Sequence, residues 1–213
     1  MNINNTEEIR AKYDKKASSY DMAFGPMEKM MMGKWRKLLC SKANGLVLEA
    51  GVGTGANLAH YPENSNIEKV IGIDFSPKML EVAKGKVLMA KVPIELIEAD
   101  IQNLHFEEDI FDTIITACVF CSVPDPVLGF KELRRVIKSS GKLYLLEHVR
   151  SEGIFLGPLM DKLNALSVKL SGVNINRTTE KNIELSGMKI VSVEPLLRDI
   201  VKLITVSPNK QCL

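Results

Sequence analysis

Long apolar runs, cysteine and charge of one sign are all scarce in this chain of 213 residues. No stretch approaches the roughly 20 apolar residues that span a bilayer, so a membrane span is not expected. The opening MNINNTEEIR is polar, which predicts no signal peptide and points to a reducing, cytoplasmic setting. Four cysteines (Cys40, Cys118, Cys121, Cys212) are too few and too unevenly placed for a disulfide framework, and Cys212 has the wrong spacing for prenylation. Lys and Arg total 28 against 26 Asp and Glu, a net charge of +2 that argues against nucleic-acid binding by bulk electrostatics. A local basic patch stays open. What is present is ordinary for a globular protein: 46% hydrophobic and 25% charged residues exclude a disordered or collagen-like chain. The length suits one domain that buries roughly 70% of its unfolded surface.

The texture of the chain changes near residue 45. Before it, Thr6-Glu7-Glu8 opens an acidic first turn, and Tyr13, Ala17 and Tyr20 fall on one side of a helix. Gly25-Pro26 is expected to break that helix, with a second over 26–40. After it, short apolar runs over 46–50, 69–74, 94–100, 111–119 and 141–149 read as buried strands. The glycine turn after 50 is expected to enter a helix, and further helices are expected over 76–90 and 125–138. Strands alternating with helices predict a doubly wound, mostly parallel sheet. Helices over 157–170 and 178–187 follow. Two last strands lie too close for a parallel crossover and predict an antiparallel hairpin. The expected organisation is a single domain: a helical lid over 1–44, a core over 45–149, a helical insertion over 150–187 and a closing hairpin over 188–213.

Three features gather at the carboxyl ends of the first three strands, where doubly wound sheets bind ligands. The run Glu49-Ala50-Gly51-Val52-Gly53-Thr54-Gly55 leaves the first strand, and glycines there allow a tight turn and close approach of a ligand to the backbone. Asp74 ends the second strand, where an acid can accept both ribose hydroxyls of an adenosine or cap the helix that begins near Ser76. Asp100 ends the third, placed to accept from an adenine amino group while Ile101 packs on the ring, or to serve as a solvated turn acid.

Taken together, EAGVGTG, GIDFSPKML, EADI and the closing hairpin resemble the class I S-adenosylmethionine-dependent methyltransferases over about residues 10–206. The resemblance implies a Rossmann-like seven-stranded sheet with only the last strand antiparallel, and S-adenosylmethionine as cofactor. It places Glu49 near the methionine amino group and brackets the cofactor with Gly51, Gly53 and Gly55. Asp74 would hold the ribose, Phe75 and Met79 the adenine pocket, Asp100 and Ile101 the adenine, and Ala117 and Cys118 would pass under the methionine moiety. A nicotinamide-dependent dehydrogenase fits less well, because its fingerprint usually lies near the start of its domain and it has no terminal antiparallel hairpin.

The leading YDKKASSYD resembles the quinone C-methyltransferase and bacterial phosphatidylethanolamine N-methyltransferase group. That likeness implies a first helix closing over the cofactor, with Tyr20 towards the methionine carboxylate and Tyr13 nearby. The run CVFCSVP (118–124) and Glu147-His148-Val149 are similar to a narrower set that includes membrane-associated alkyl-thiol methyltransferases. Cys118-x-x-Cys121 has no second pair at metal-binding spacing, so it reads as packing and no metal is expected. His148 is the one candidate base, since its ordinary pKa lies near neutrality, although a structural histidine fits equally. Met27, Met30, Met31, Trp35 and Leu38 share one side of the helix over 26–40, with Lys29, Arg36 and Lys37 elsewhere, a pattern suited to lipid, a membrane surface or plain packing. The acceptor side is thus expected to use Tyr13, Trp35, Phe120 and His148, with 157–173 as its other wall. The expected reaction is methyl transfer to a small or lipid-like acceptor, a phosphatidylethanolamine-type amine first, then alkyl thiols or quinones. A peripheral membrane-binding protein that keeps the fold without turnover is the non-enzymatic alternative. Oligomeric state is left open.

Overall fold

The computed structural model describes residues 6–63 and 66–210, with the backbone alone over 22–31. Seven strands form one sheet in the order β3-β2-β1-β4-β5-β7-β6. They are β1 (Gly45–Ala50), β2 (Ile67–Asp74), β3 (Ile94–Glu98), β4 (Phe111–Ala117), β5 (Ile137–His148), β6 (Lys189–Leu197) and β7 (Val201–Ser207). The first five pair in parallel, while β7 runs antiparallel to both β5 and β6, so the expected hairpin closes the sheet. The winding reverses between β1 and β4, which opens a crevice at the carboxyl ends of those strands.

The central strands are apolar on both faces because both are covered. Leu48, Ile73, Ile114 and Leu143 pack on one side with Phe130, Leu133 and Ile183 of helices α3 (Pro126–Val136) and α5 (Thr179–Leu185). On the other side Val47, Val70, Ile115, Leu146 and Leu203 pack with Leu39 and Cys40 from the end of helix α1 (Thr6–Cys40). Two helices begin as their sequences dictate: Ser76 accepts from Met79 N at the start of α2 (Pro77–Lys84), and Asp125 accepts from Leu128 N at the start of α3, each followed by proline at the first helical position.

Several local expectations change. The backbone of α1 is one 35-residue helix that runs through Gly25–Pro26. Proline inside a helix costs about 3 kcal/mol, and both ends of this helix are anchored, at Ile9 and Ala17 and again at Leu39 and Cys40, all buried. Anchoring on both sides outweighs the local break. Side chains Met27, Met30 and Met31 of the expected stripe, and Cys212, lie outside the described residues. The helix expected after the glycine loop is a series of turns with one 3₁₀ turn at Leu58–His60, because Gly51, Gly53 and Gly55 all hold positive φ and defer regular winding. Helix α2 stops at Lys84, and Val87–Met89 forms a separate 3₁₀ turn.

Phe120 and Phe130 stack with centroids 3.7 Å apart and neither is exposed. Phe130→Ala should therefore cost roughly 3–5 kcal/mol of unfolding free energy through lost burial and the cavity left behind. Urea denaturation checks this; a loss below about 1 kcal/mol would mean the sheet closes over the gap.

Candidate functional site

A cavity of about 350 Å³ occupies the crevice at the carboxyl ends of β1, β2 and β4, roofed by α1. Its floor begins with the turn after β1. The N–H groups of Gly51 and Val52 both donate to Ile73 O of β2, at 2.8 and 2.9 Å, so the turn lies flat on the neighbouring strand end. A Cβ on Gly51 would come within 2.4 Å of the Val119 side chain, so only glycine fits there. A Cβ on Gly53 would meet nothing within 4 Å, and that opening faces the cavity that Gly53 lines.

Asp74 ties this turn to the rest of the site. Its Oδ2 accepts from Gly53 N and its Oδ1 from Ser76 N, both at 2.9 Å. Burial pushes its pKa up to about 6, against the pull of those backbone donors. Ser76 Oγ in turn donates to Asp14 Oδ1 of α1 at 2.6 Å.

Four more contacts hold α1 across the strand ends. Arg10 pairs with Glu98 at 2.6 Å, Thr54 Oγ1 donates to Asp21 at 2.7 Å, Gln102 Nε2 donates to Thr6 Oγ1 at 3.1 Å, and Tyr13 shares a hydrogen bond with Ser122 Oγ. Tyr13 also meets Phe75 edge to face, with centroids 5.8 Å apart.

Glu49 is buried under the other end of α1. Its Oε1 accepts from Asn57 Nδ2 at 3.0 Å and its Oε2 from Tyr61 OH at 2.7 Å, and Arg36 Nη1 donates to Asn57 Oδ1 at 2.7 Å. Desolvation raises the Glu49 pKa to about 7, with Tyr61, Asn57 and Arg36 opposing the shift. A second buried acid, Glu147, lies beneath the β4 end. Its Oε1 accepts from Val119 N at 3.1 Å and more weakly from Phe120 N at 3.4 Å, while its Oε2 has no hydrogen-bond partner among the described residues. Burial lifts it also to about 7.

The cavity brings together most residues singled out from the sequence. Tyr13, Tyr20, Trp35, Glu49, Gly51, Gly53, Asp74, Phe75, Met79, Asp100, Ile101, Ala117 and Cys118 all line it. Asp100 is held by Gln102, whose backbone N donates to its Oδ1 at 2.9 Å and whose side-chain amide reaches both oxygens. Cys118 adopts a positive φ of 58°, uncommon for a residue with a side chain, where the chain turns out of β4.

Four expectations fail on placement. Gly55 packs against Leu58 and Ala83 rather than the cavity. Phe120 belongs to the core stack. His148 pairs with Val201 within the sheet, does not line the cavity, and is held below its ordinary pKa by burial. No described residue of 157–173 lines the cavity either; its apolar wall is completed by Leu197 and Val201 of the closing hairpin with Met32 and Val123. Cys121, the second cysteine of the pair, is buried with its thiol on Cys118 O at 3.3 Å and its pKa pushed up to about 12 by burial.

Sequence reasoning missed Arg36, Asn57, Tyr61, Thr54 and Gln102. Of these only Thr54, inside the glycine run, carried a local signal; the others reach the site from turns and helix faces that look like ordinary polar surface.

Residues 48–145 match the model of a methyltransferase domain family. The mitochondrial methyltransferase OMS1 of Saccharomyces cerevisiae is 28% identical over 84% of this chain and 42% of its own length. A ubiquinone/menaquinone biosynthesis C-methyltransferase of Bdellovibrio bacteriovorus is 31% identical over 67% of this chain and 63% of its own. The chain thus spans less than two thirds of the length of each of these two relatives, and less than half of the first. A phosphatidylethanolamine N-methyltransferase of Cereibacter sphaeroides is 33% identical over 72% of this chain and 73% of its own length. Among solved structures, an S-adenosylmethionine-dependent methyltransferase of Thermotoga maritima superposes with a TM-score of 0.66 over 94% of this chain and 99% of its own, at 21% identity.

Glu147 is protonated in the fold up to about pH 7 but ionises near 4.5 once exposed. The native state therefore holds more protons than the unfolded chain between those values, and this group's contribution to stability falls as pH rises through the window. Glu147→Gln removes that loss. From about pH 5 to pH 8 its urea stability relative to the natural chain should improve by on the order of 1–3 kcal/mol; a constant gap would mean Glu147 stays ionised when folded. Glycine turn, strand-end acids, sheet order and the match to these relatives agree: the chain belongs to the class I S-adenosylmethionine-dependent methyltransferases.

Proposed function

We propose that this chain transfers a methyl group from S-adenosylmethionine to a small or lipid-like acceptor, with a phosphatidylethanolamine-type amine first. The observation that carries the reading is the cavity's two-sided lining. One part offers carboxylates and a bare backbone turn, from Glu49, Gly53, Asp74 and Asp100. Another part is apolar, and there Met32, Trp35, Ala117 and Val201 belong to a single hydrophobic cluster.

The polar part fits the cofactor. Each Asp74 oxygen has accepted one backbone hydrogen bond and keeps a lone pair for a ribose hydroxyl. Gly53 leaves space that a side chain would fill. Phe75, Met79 and Ile101 would sandwich the adenine, with Asp100 at its amino group. Glu49 would face the methionine amino group and Ala117 and Cys118 would underlie the methionine chain, with Tyr13 and Tyr20 closing from α1. When bound, S-adenosylmethionine supplies an electrophilic methyl group.

The chain's own work is then positional. Its residues hold an acceptor in line in a pocket shielded from water by α1, which is sufficient for a nucleophile that arrives deprotonated. His148 lies off the cavity, so no proton is routed through it; His148→Ala should keep the methyl-transfer rate within about threefold, and a hundredfold loss would restore it as a base. Quinone C-methylation is the second reading, supported by the 31% identity to the Bdellovibrio enzyme.

Calorimetry with S-adenosylhomocysteine, NADH run alongside, followed by labelled methyl transfer to amine, thiol and quinol acceptors, tests the whole. Binding of the former alone and transfer to the amine are expected; transfer only to a quinol would move the substrate assignment. Asp74→Ala should weaken S-adenosylhomocysteine by ~1–3 kcal/mol through lost charge-assisted hydrogen bonds. Hydroxyls donate more strongly to the charged carboxylate than to the neutral acid, so affinity in the natural chain should rise through about pH 6, where Asp74 ionises, and Asp74→Asn should flatten that profile. Unchanged affinity in both variants would remove the ribose assignment.

A further inference from the structure

Helix α4 (Leu156–Ser171) is inside out. The face it turns to the protein is small and polar: Asn164 donates to Asn174 Oδ1 and accepts from Ile175 N, Ser167 donates to Val173 O, and Gly157, Met160 and Val168 are buried beside them. Its leucines point away. Leu156, Leu159, Leu163, Leu166 and Leu170 are all exposed, and their spacing of three and four residues lines them up as one stripe along the helix. Just before the helix Ile154 and Phe155 are 81% and 84% exposed, extending the stripe at its amino end. A continuous apolar strip of this length on a folded chain marks a contact surface.

The charges around the stripe select what covers it. Lys162 and Lys169 are exposed along one flank. At the carboxyl end Lys12 and Lys16 of α1 reach over to the carbonyls of Val168 and Leu170, and Lys15 is exposed between them. The helix has one acid, Asp161, and Arg150 already engages it through Nε and Nη2. A second copy of the chain would bring lysines and no free carboxylate from α4 to meet these lysines. An anionic lipid surface supplies both needed parts, apolar acyl chains for the leucines and negative headgroups for the lysines.

We propose that α4, with Ile154 and Phe155, is an interfacial docking helix that lays this chain on an anionic membrane. The stripe and its lysine border are there whichever acceptor is methylated; only the purpose of docking rests on the lipid-like acceptor proposed above. The expected stripe on the helix over 26–40 is a separate surface, while α4, expected as a pocket wall, does not line the cavity. The docking helix also connects to the cavity. Asn174, which holds α4, donates its backbone N to Cys121 O next to Ser122, and Lys12 adjoins Tyr13, both Ser122 and Tyr13 lining the cavity.

Vesicle co-sedimentation of the full chain without cofactor tests this, using phosphatidylcholine vesicles with and without phosphatidylglycerol. The natural chain should partition at least about tenfold more strongly onto the anionic vesicles, with salt weakening the binding. The combined variant Leu159→Ser, Leu163→Ser, Leu166→Ser should lose about tenfold or more of that binding at an unchanged melting temperature, since the three side chains are exposed. Lys162→Gln with Lys169→Gln should narrow the preference for anionic vesicles. Equal binding by the leucine variant, or a dimer of the natural chain that the leucine variant turns to monomer, overturns the proposal. S-adenosylhomocysteine affinity measured on the same samples separates the two readings: intact affinity without vesicle binding sinks only the docking helix.

Discussion

The Asp74 carboxylate holds the site together. One oxygen fixes the glycine turn that leaves β1, the other fixes the residue that caps α2, and that residue's hydroxyl fixes Asp14 of α1. Three separate elements thus converge on the end of one strand. Its cost is visible in the raised pKa, since a carboxylate out of water is disfavoured until enough donors face it. Two backbone donors satisfy it in part, and the residue lines the cavity. In the methyl-transfer reading proposed above, ribose hydroxyls would supply further donors.

The other buried acids follow a related logic on a different target. Glu49 locks Asn57 and Tyr61 behind the glycine turn, and Glu147 gathers the N–H groups where the chain leaves β4. Each fixes a loop that must sit at a strand end without regular secondary structure to support it. Hydrogen bonds accepted by a buried carboxyl oxygen substitute for the ladder that ends there. The methyl-transfer reading asks for little more than this, because in-line displacement depends on where two reactants are held and not on a chain of proton transfers.

Helix α1 carries the architecture across the whole crevice. Its contacts run from Thr6 and Arg10 over β3, through Asp14 over β2, to Arg36 beside β1. One rigid rod spanning these points closes the cavity more simply than two helices would, and it explains why a proline in its middle is tolerated. At its amino half it also meets α4, so the roof of the cavity and the outward leucine stripe share one support.

The parallel sheet, the closing hairpin, the glycine turn and the strand-end acids were all legible in the sequence, because each is set by local patterns: runs of apolar residues, caps, and glycines at positive φ. Glu49, Asp74 and Asp100 were legible for the same reason, as they fall at or just beyond strand ends whose positions the runs define. Side-chain partners from distant segments were not. Arg36, Asn57 and Tyr61 reach Glu49 only after α1 folds over the sheet, and nothing in their neighbours announces it. His148 and Phe120 looked like site residues because they adjoin the right strands, but strand alternation and the Phe130 stack turned them elsewhere. Amphipathic period located α4 and its leucines yet could not say which face meets the core. Local chemistry fixes what elements form; only the packing of those elements decides which of their faces are inside.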